Sequence, residues 1–282
     1  MRAIKAHLNG IDIAYETHGS GYPLVLAHGL AATKEMWDGQ VPDFADRYRV
    51  VVYDARGHGE SDSPPVDDAG YTMDQLVDDQ KALMDHLGIA EAYIGGLSLG
   101  GMIAMRFALK YPRSTRALML FDTSPGMGMQ GQWAANRGAM ETLVRGQGVA
   151  AMMRGLYAQG AKTLGVKSRT DVPAAVVDFL KRQATLTPDG FLGITRAAGD
   201  AESVLERLPE ITAPALIVTG DSDFFRDASI EMKRRLPHAR FVQINGSWHG
   251  TNIWQPEKFT SAVLAFLADV EANKPVAASE EL

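Results

Sequence analysis

The sequence of 282 residues predicts an α/β protein: a mostly parallel central sheet with an N-terminal antiparallel hairpin, and helices on both faces. Three observations carry this expectation: short apolar runs without alternation, segments of helical period between them, and one alternating stretch at the beginning. A strand covered on both faces loses the in-and-out alternation of a half-solvated sheet, because each of its side chains meets a helix. Regular exchange of strand and helix demands crossovers, which lay successive strands parallel.

Ile4, Ala6 and Leu8 fall at alternate positions before Asn9-Gly10, as do Ile11, Ile13 and Tyr15 after it. Asn-Gly tolerates the positive φ of a two-residue turn, so the pair closes a hairpin. Buried strands are then expected at 24–27, 50–53, 93–95, 117–121, 215–218 and 241–244, each an apolar run bounded by polar residues or glycine. Helical period marks 73–87, 99–111, 229–236 and 256–270. Between 125 and 201 the rhythm stops and the composition turns to Met, Ala, Gly and Arg, with Met127, Met129, Met140, Met152, Met153, Trp133, Tyr157, Phe179 and Phe191 in the segment. An unstructured loop of that length is implausible in a compact domain, so a helical insertion is expected. At helical spacing its methionines and aromatics read first as ordinary packing. The expected organisation is a core of residues 1–124 and 202–270, a helical lid of 125–201, and a flexible tail of 271–282, where Ala, Pro, Ser and Glu mix without period.

Hydrophobic residues make up 46% and charged residues 22%, a globular composition. With Lys+Arg 28 against Asp+Glu 34 there is no basic surplus for a phosphate backbone, so nucleic acid is not an expected partner. Cysteine is absent, which removes disulfides, thiolate catalysis and Cys-ligated metals. The first residues lack the apolar core of a secretory signal, and no apolar stretch is long enough to span a membrane. A cytoplasmic protein without a membrane partner is the expectation.

The most specific motif is Gly96-Leu97-Ser98-Leu99-Gly100-Gly101, between an expected strand and an expected helix. A serine on so tight a turn needs small neighbours, because its own backbone is strained and adjacent side chains would collide. The turn lifts the hydroxyl from the sheet edge and aims the first helical amides at a reacting carbonyl. The competing reading is a glycine-rich turn with an incidental serine; the strand before and the helix after favour the first.

At this point the chain resembles the α/β-hydrolase superfamily over nearly its whole length outside the insertion. His28-Gly29-Leu30 resembles the family's oxyanion loop, and Asp54-Ala55-Arg56-Gly57-His58-Gly59-Glu60-Ser61-Asp62 its architectural loop after the next strand. Gly220-Asp221-Ser222-Asp223 is similar to the acid loop and Gly246-Ser247-Trp248-His249 to the histidine loop. The stretch Gly95 to Met102, with its double glycine, looks most like the branch of enol-lactonases, cofactor-free haloperoxidases and small carboxylesterases.

The resemblance implies a nucleophile Ser98, a general base His249 and an orienting carboxylate Asp223, in the chain order this fold uses. Asp122, at the end of the strand 117–121, and Asp221 are the competing acids. A serine hydroxyl needs a base within hydrogen-bond reach, and the base needs a partner that fixes its tautomer. The oxyanion donors implied are the backbone amides of Leu30 and Leu99. Trp37, Met102, Met127, Trp133, Phe224 and Trp248 are candidate pocket residues. A serine rather than a carboxylate at the elbow disfavours epoxide hydrolase and haloalkane dehalogenase chemistry. No ligand-spaced His and carboxylate cluster calls for a metal, the glycine-rich stretches lack phosphate-loop and dinucleotide spacing, and no cofactor is implied. The expected activity is serine-dependent hydrolysis of a small-molecule carboxylic ester or lactone through an acyl-enzyme. A carbon–carbon bond hydrolase of the same fold and a non-catalytic small-molecule receptor are the alternatives.

Overall fold

The computed structural model describes residues 4–66, 70–126, 130–166, 172–182 and 186–282, with the side chains of 130–137, 175 and 180–182 left out of the description. The hairpin forms as Asn9-Gly10 dictates: φ is 50° and 81° at the two positions, and Leu8 sits opposite Ile11. Its strands β1 (Ile4–Leu8) and β2 (Ile11–His18) are antiparallel, and β2 pairs antiparallel with β4 (Tyr48–Tyr53). The remaining strands are β3 (Tyr22–Ala27), β5 (Ala92–Leu97), β6 (Thr115–Phe121), β7 (Ala215–Gly220), β8 (Arg240–Ile244) and β9 (Ala278–Glu281). All of these pair in parallel, giving one nine-stranded sheet of order β1-β2-β4-β3-β5-β6-β7-β8-β9. The reversal of order at β3 and β4 places β3 and β5 side by side in the middle, and the loops that leave their carboxyl ends meet there.

Each expected strand is present, extended by a few residues. The runs 50–53 and 117–121 begin two residues early, at Tyr48 and Thr115, because ladder pairing continues through residues the apolar count leaves out. Helices α1 (Val41–Ala45), α2 (Met73–His86) and α3 (Leu99–Lys110) alternate with the first strands, and α8 (Arg226–Arg235), α9 (Thr251–Trp254) and α10 (Pro256–Glu271) with the last. A capping box starts α2: the Thr72 hydroxyl accepts from the Gln75 amide while the Gln75 side chain accepts from the Thr72 amide. The two faces of the sheet bury separate clusters, one around Trp37, Phe121 and Phe259, the other around Ile94, Ile103 and Phe107. Helices α4 (Gln130–Gln147), α5 (Val149–Thr163), α6 (Ala174–Arg182) and α7 (Pro188–Asp200) fill the segment where the strand rhythm stops. No helix among the described residues is long and apolar enough to cross a membrane.

The end of the chain corrects the expectation of a flexible tail over 271–282. Ala278–Glu281 forms β9, and Leu282 exchanges backbone hydrogen bonds with Gln243 and Asn245. Only Val276 of this stretch is buried, so the pairing is held by backbone bonds rather than by an apolar period that sequence reading could detect.

The loop after β4 is tied down by buried charge. Arg56 grips Asp79 of α2 with two bonds, Nε to Oδ2 at 2.6 Å and Nη2 to Oδ1 at 2.7 Å, both side chains being buried. Removing one member strands the other without a counter-charge, so Arg56→Met is expected to destabilise by about 3–5 kcal/mol, read as a lower urea midpoint at unchanged slope.

Candidate active site

Ser98 joins β5 to α3 with φ 56° and ψ −112°, a conformation that a residue with a β-carbon rarely adopts. The turn closes because its neighbours have no side chains. A β-carbon on Gly96 would lie 2.2 Å from the backbone of Gly100, and one on Gly100 would lie 2.1 Å from the Ala27 carbonyl oxygen. The Ser98 amide donates to Phe121 O at 2.9 Å and its carbonyl accepts from the Met102 amide and the Thr123 hydroxyl, so strand, helix and β6 all hold the residue.

The histidine loop follows β8. His249 is buried, and its Nδ1 lies 2.7 Å from Asp223 Oδ2, while Asp223 Oδ1 accepts from the Phe225 amide. Burial works against the imidazolium, but the charge of Asp223, its hydrogen bond and the charge of Asp122 outweigh it, so the pKa stands above 6.5. Phe224 stacks on the imidazole at 4.2 Å between ring centroids.

The two competing acids have other partners. Asp221 Oδ1 accepts from the Ser247 amide at 3.0 Å, tying the acid loop to the histidine loop. Asp122, wholly buried at φ 43°, accepts from the Gly220, Gly250 and Thr251 amides and from the Thr251 hydroxyl. It thereby joins the end of β6 to the loops on both sides of the His249–Asp223 pair. Burial, and then the charge of Asp223, push its pKa well above the usual carboxylate range, against the four donors.

The loop after β3 is held by a pair of neutral histidines. His28 Nε2 accepts from the Ala55 amide at 3.0 Å, His58 Nε2 accepts from the Ala31 amide at 3.2 Å, and the rings lie 4.8 Å apart. Burial pushes His28 down to about 4 and His58 down to about 3. Neither ring is charged at neutral pH, which is what an acceptor nitrogen requires; their contribution to stability is present above pH 6.5 and is lost as the pH falls through about 4. Ala32 donates to Gly29 O, and Ala31 takes φ 60°, so the backbone folds tightly around Leu30.

Ser98, His249, Leu30 and Leu99 line one cavity of about 340 Å³. Its other walls include Gly29, Met36, Met102, Phe224 and Phe225 from the core, and Met140, Met152, Met153, Tyr157, Phe179, Phe191 and Thr195 from α4 to α7. Most of the methionines and aromatics that read first as packing therefore face this space. Of the candidate pocket residues, Met102 and Phe224 are among those lining this cavity.

Two other pocket expectations are corrected. Trp37 is fully buried in the core against the Phe121–Phe259 pair, with ring centroids at 6.0 and 6.2 Å; the short 3-10 turn Lys34–Trp37 presents its neighbour Met36 to the cavity instead. Trp248 lies behind the wall, packed edge-on to Tyr157 and so close to Gly160 that a β-carbon there would approach to 2.2 Å. Met127 and the side chain of Trp133 lie outside the described residues. Met36, Phe225 and Thr195 lacked a sequence signal, since each contacts the cavity only through the three-dimensional course of its element. No cluster of three or more His, Asp or Glu side chains among the described residues is arranged to hold a metal ion.

The profile of the alpha/beta hydrolase fold family matches residues 22–256, a span that runs from β3, through the serine turn, to the histidine loop. The chain belongs to the α/β-hydrolase family. It is 29% identical over 275 residues to 3-oxoadipate enol-lactonase 2 of Acinetobacter baylyi, which covers 93% of this chain and 96% of that one. Among solved structures it superposes on the enol-lactonase from Burkholderia xenovorans at a TM-score of 0.80 and 26% identity, covering 94% of this chain and all of the other. The bromoperoxidase from Bacillus anthracis gives 0.81 at 26% identity, covering 95% and 100%. These relatives are of the branch that the double glycine resembles, and the protein is a hydrolase acting on a small molecule.

Proposed function

We propose that this hydrolase cleaves a carboxylic ester or lactone through an acyl-enzyme, with Ser98 as nucleophile, His249 as general base and Asp223 as the group that orients it. The observation that carries the reading is the 2.7 Å contact from His249 to Asp223 beside a strained Ser98, with serine and histidine on the same cavity. The Oγ of Ser98 attacks the carbonyl carbon while its proton passes to His249 Nε2. Asp223 holds the Nδ1–H tautomer and stabilises the imidazolium. The oxyanion sits between the backbone amides of Leu30 and Leu99, each such donor contributing about 3–4 kcal/mol. His249 then protonates the leaving alkoxide, and water attacks the acyl-enzyme with His249 again as base, which releases the acid and restores Ser98. Helices α4 to α7 act as the cap that shapes the cavity, and Asp223 rather than Asp122 or Asp221 supports the base.

Hydrolysis of p-nitrophenyl esters of increasing chain length, run beside a panel of lactones, tests the reading; turnover that stops after a serine-directed phosphonate has labelled Ser98 is the expected result. Folded protein that resists the phosphonate would overturn it. The pH profile is a second test. Only neutral His249 is a base, and its pKa stands above 6.5, so kcat/KM falls with decreasing pH through a midpoint above 6.5. A rate that stays flat down to pH 4 excludes His249 as the base.

A further inference from the structure

Asp223 places a neighbour as well as the histidine. With Oδ2 on the His249 ring and Oδ1 accepting from the Phe225 amide, its carboxylate closes a tight turn that has Phe224 at its tip. The Phe224 ring lies on the imidazole, 4.2 Å between centroids and 27° between planes, and packs against Phe225 at 4.5 Å and Trp248 at 5.8 Å. It is nevertheless 51% exposed, and of the described residues lining the cavity only Phe224 and Leu156 of α5, at 39%, are exposed. An exposed apolar residue is ordinary by itself. These two mark where the cavity opens to solvent, and that opening adjoins His249. Met102, Met153, Phe179 and Phe191 line the same cavity, are buried, and form its closed part. The direction in which a substrate lies follows from the proton. When the tetrahedral adduct on Ser98 collapses, the His249 imidazolium must be within hydrogen-bond reach of the departing alkoxide oxygen. The carbon bearing that oxygen therefore lies beside the imidazole and the ring stacked on it, while the acyl chain leaves the carbonyl carbon in another direction.

We infer that Phe224 determines specificity for the leaving alcohol: its ring receives an apolar group attached to the alkoxide-bearing carbon at the open end of the cavity, while the acyl chain occupies the closed part. The inference rests on the ester and lactone reading above. It narrows that reading to esters of alcohols with an aryl or bulky alkyl group, and to lactones that carry such a group on the carbon next to the ring oxygen. Phe224 moves no proton; it acts by holding the alcohol side of the substrate against the base.

The test compares the methyl and benzyl esters of the acid preferred in the p-nitrophenyl series, two alcohols of similar acidity, in the wild type, Phe224→Ala and Phe224→Leu. For lactones, γ-butyrolactone and its γ-phenyl derivative make the same comparison. Because Phe224 also braces the imidazole, both variants are expected to lose rate on every substrate. The readout is therefore the ratio of kcat/KM for the aryl-bearing substrate to that for the plain one, within each protein. Phe224→Ala is expected to lower this ratio about five- to tenfold, and Phe224→Leu to recover part of it. A second ratio, between methyl esters of a longer and a shorter acid, varies only the acyl side and is expected to change less than about twofold. An alcohol-side ratio that is equal in wild type and Phe224→Ala overturns the inference while leaving the hydrolase reading in place. An acyl-side ratio that falls as much as the alcohol-side one does the same, since loss of bracing or an acyl contact would then account for the effect. A wild type that turns over no ester and no lactone overturns the ester and lactone reading itself, and the inference falls with it.

Discussion

Ser98→Ala is expected to lower kcat on the preferred ester or lactone by at least about 10⁴-fold with little change in KM. The alanine keeps the β-carbon, so the strain at φ 56° and the packing of the turn are unchanged, and circular dichroism and Tm should match the wild type. What is lost is the atom that attacks in the proposed mechanism. His249 remains beside Asp223 and can still activate a water, and any donors at Leu30 and Leu99 still polarise the carbonyl. The residual rate therefore reports those groups alone, and it should lie above the uncatalysed rate. Near-equal KM values follow if the apolar walls, rather than the nucleophile, hold the substrate in the ground state. A loss smaller than about tenfold in a folded variant would mean that another group forms the covalent bond or that none does, because a nucleophile and its base act as a unit and do not share their effect.

How far this site was legible in the sequence depends on what kind of contact defines each part. The serine turn is a local event: strand, glycine, serine, glycine, helix. Its glycines are required by backbone atoms within a few residues or on the adjacent strand β3, so the spacing carried the geometry. The loops that carry His249 and Asp223 were readable for a similar reason, as each follows the end of a strand whose apolar run is plain. Pattern and resemblance favoured Asp223 and left Asp122 and Asp221 open. All three carboxylates lie in loops at the same sheet edge, and only hydrogen-bond directions separate them: Asp221 to the Ser247 amide, Asp122 to Gly250 and Thr251, and Asp223 to the His249 ring.

The pocket was the least legible part. Whether a residue faces the cavity is decided by one step around a 3-10 turn, as Met36 and Trp37 demonstrate, or by the way four helices settle over the sheet edge. The methionines of α4 and α5 have one composition whether they pack a core or line a cavity. The final strand escaped detection because its residues, Ala-Ser-Glu-Glu, are mostly exposed and are held by backbone pairing to the outer edge of β8.

Gly100→Ala is expected to destabilise the protein by at least about 5 kcal/mol, enough to lower Tm by about 10 °C or more or to leave the chain insoluble. The magnitude follows from what the new methyl group would meet. Its carbon would stand 2.1 Å from the oxygen and 2.6 Å from the carbon of the Ala27 carbonyl, and 2.9 Å from the His28 carbonyl oxygen. These are backbone atoms at the end of β3, in the middle of the sheet, and no rotamer change can move them aside. Relief requires α3 to lift from the sheet, which withdraws the Ser98 carbonyl from Met102 and Thr123 and lets the turn relax out of its strained conformation. Stability and activity should therefore fall together, unlike in Ser98→Ala, where only activity falls. Gly155→Ala supplies the control: Gly155 lies on an exposed face of α5, and a β-carbon there meets nothing within 4 Å. That substitution should raise stability by up to about 1 kcal/mol through helix propensity. A Gly100→Ala protein that melts with the wild type would show that α3 does not need this close approach to β3, and would remove the steric argument for the glycine at this position of the serine turn.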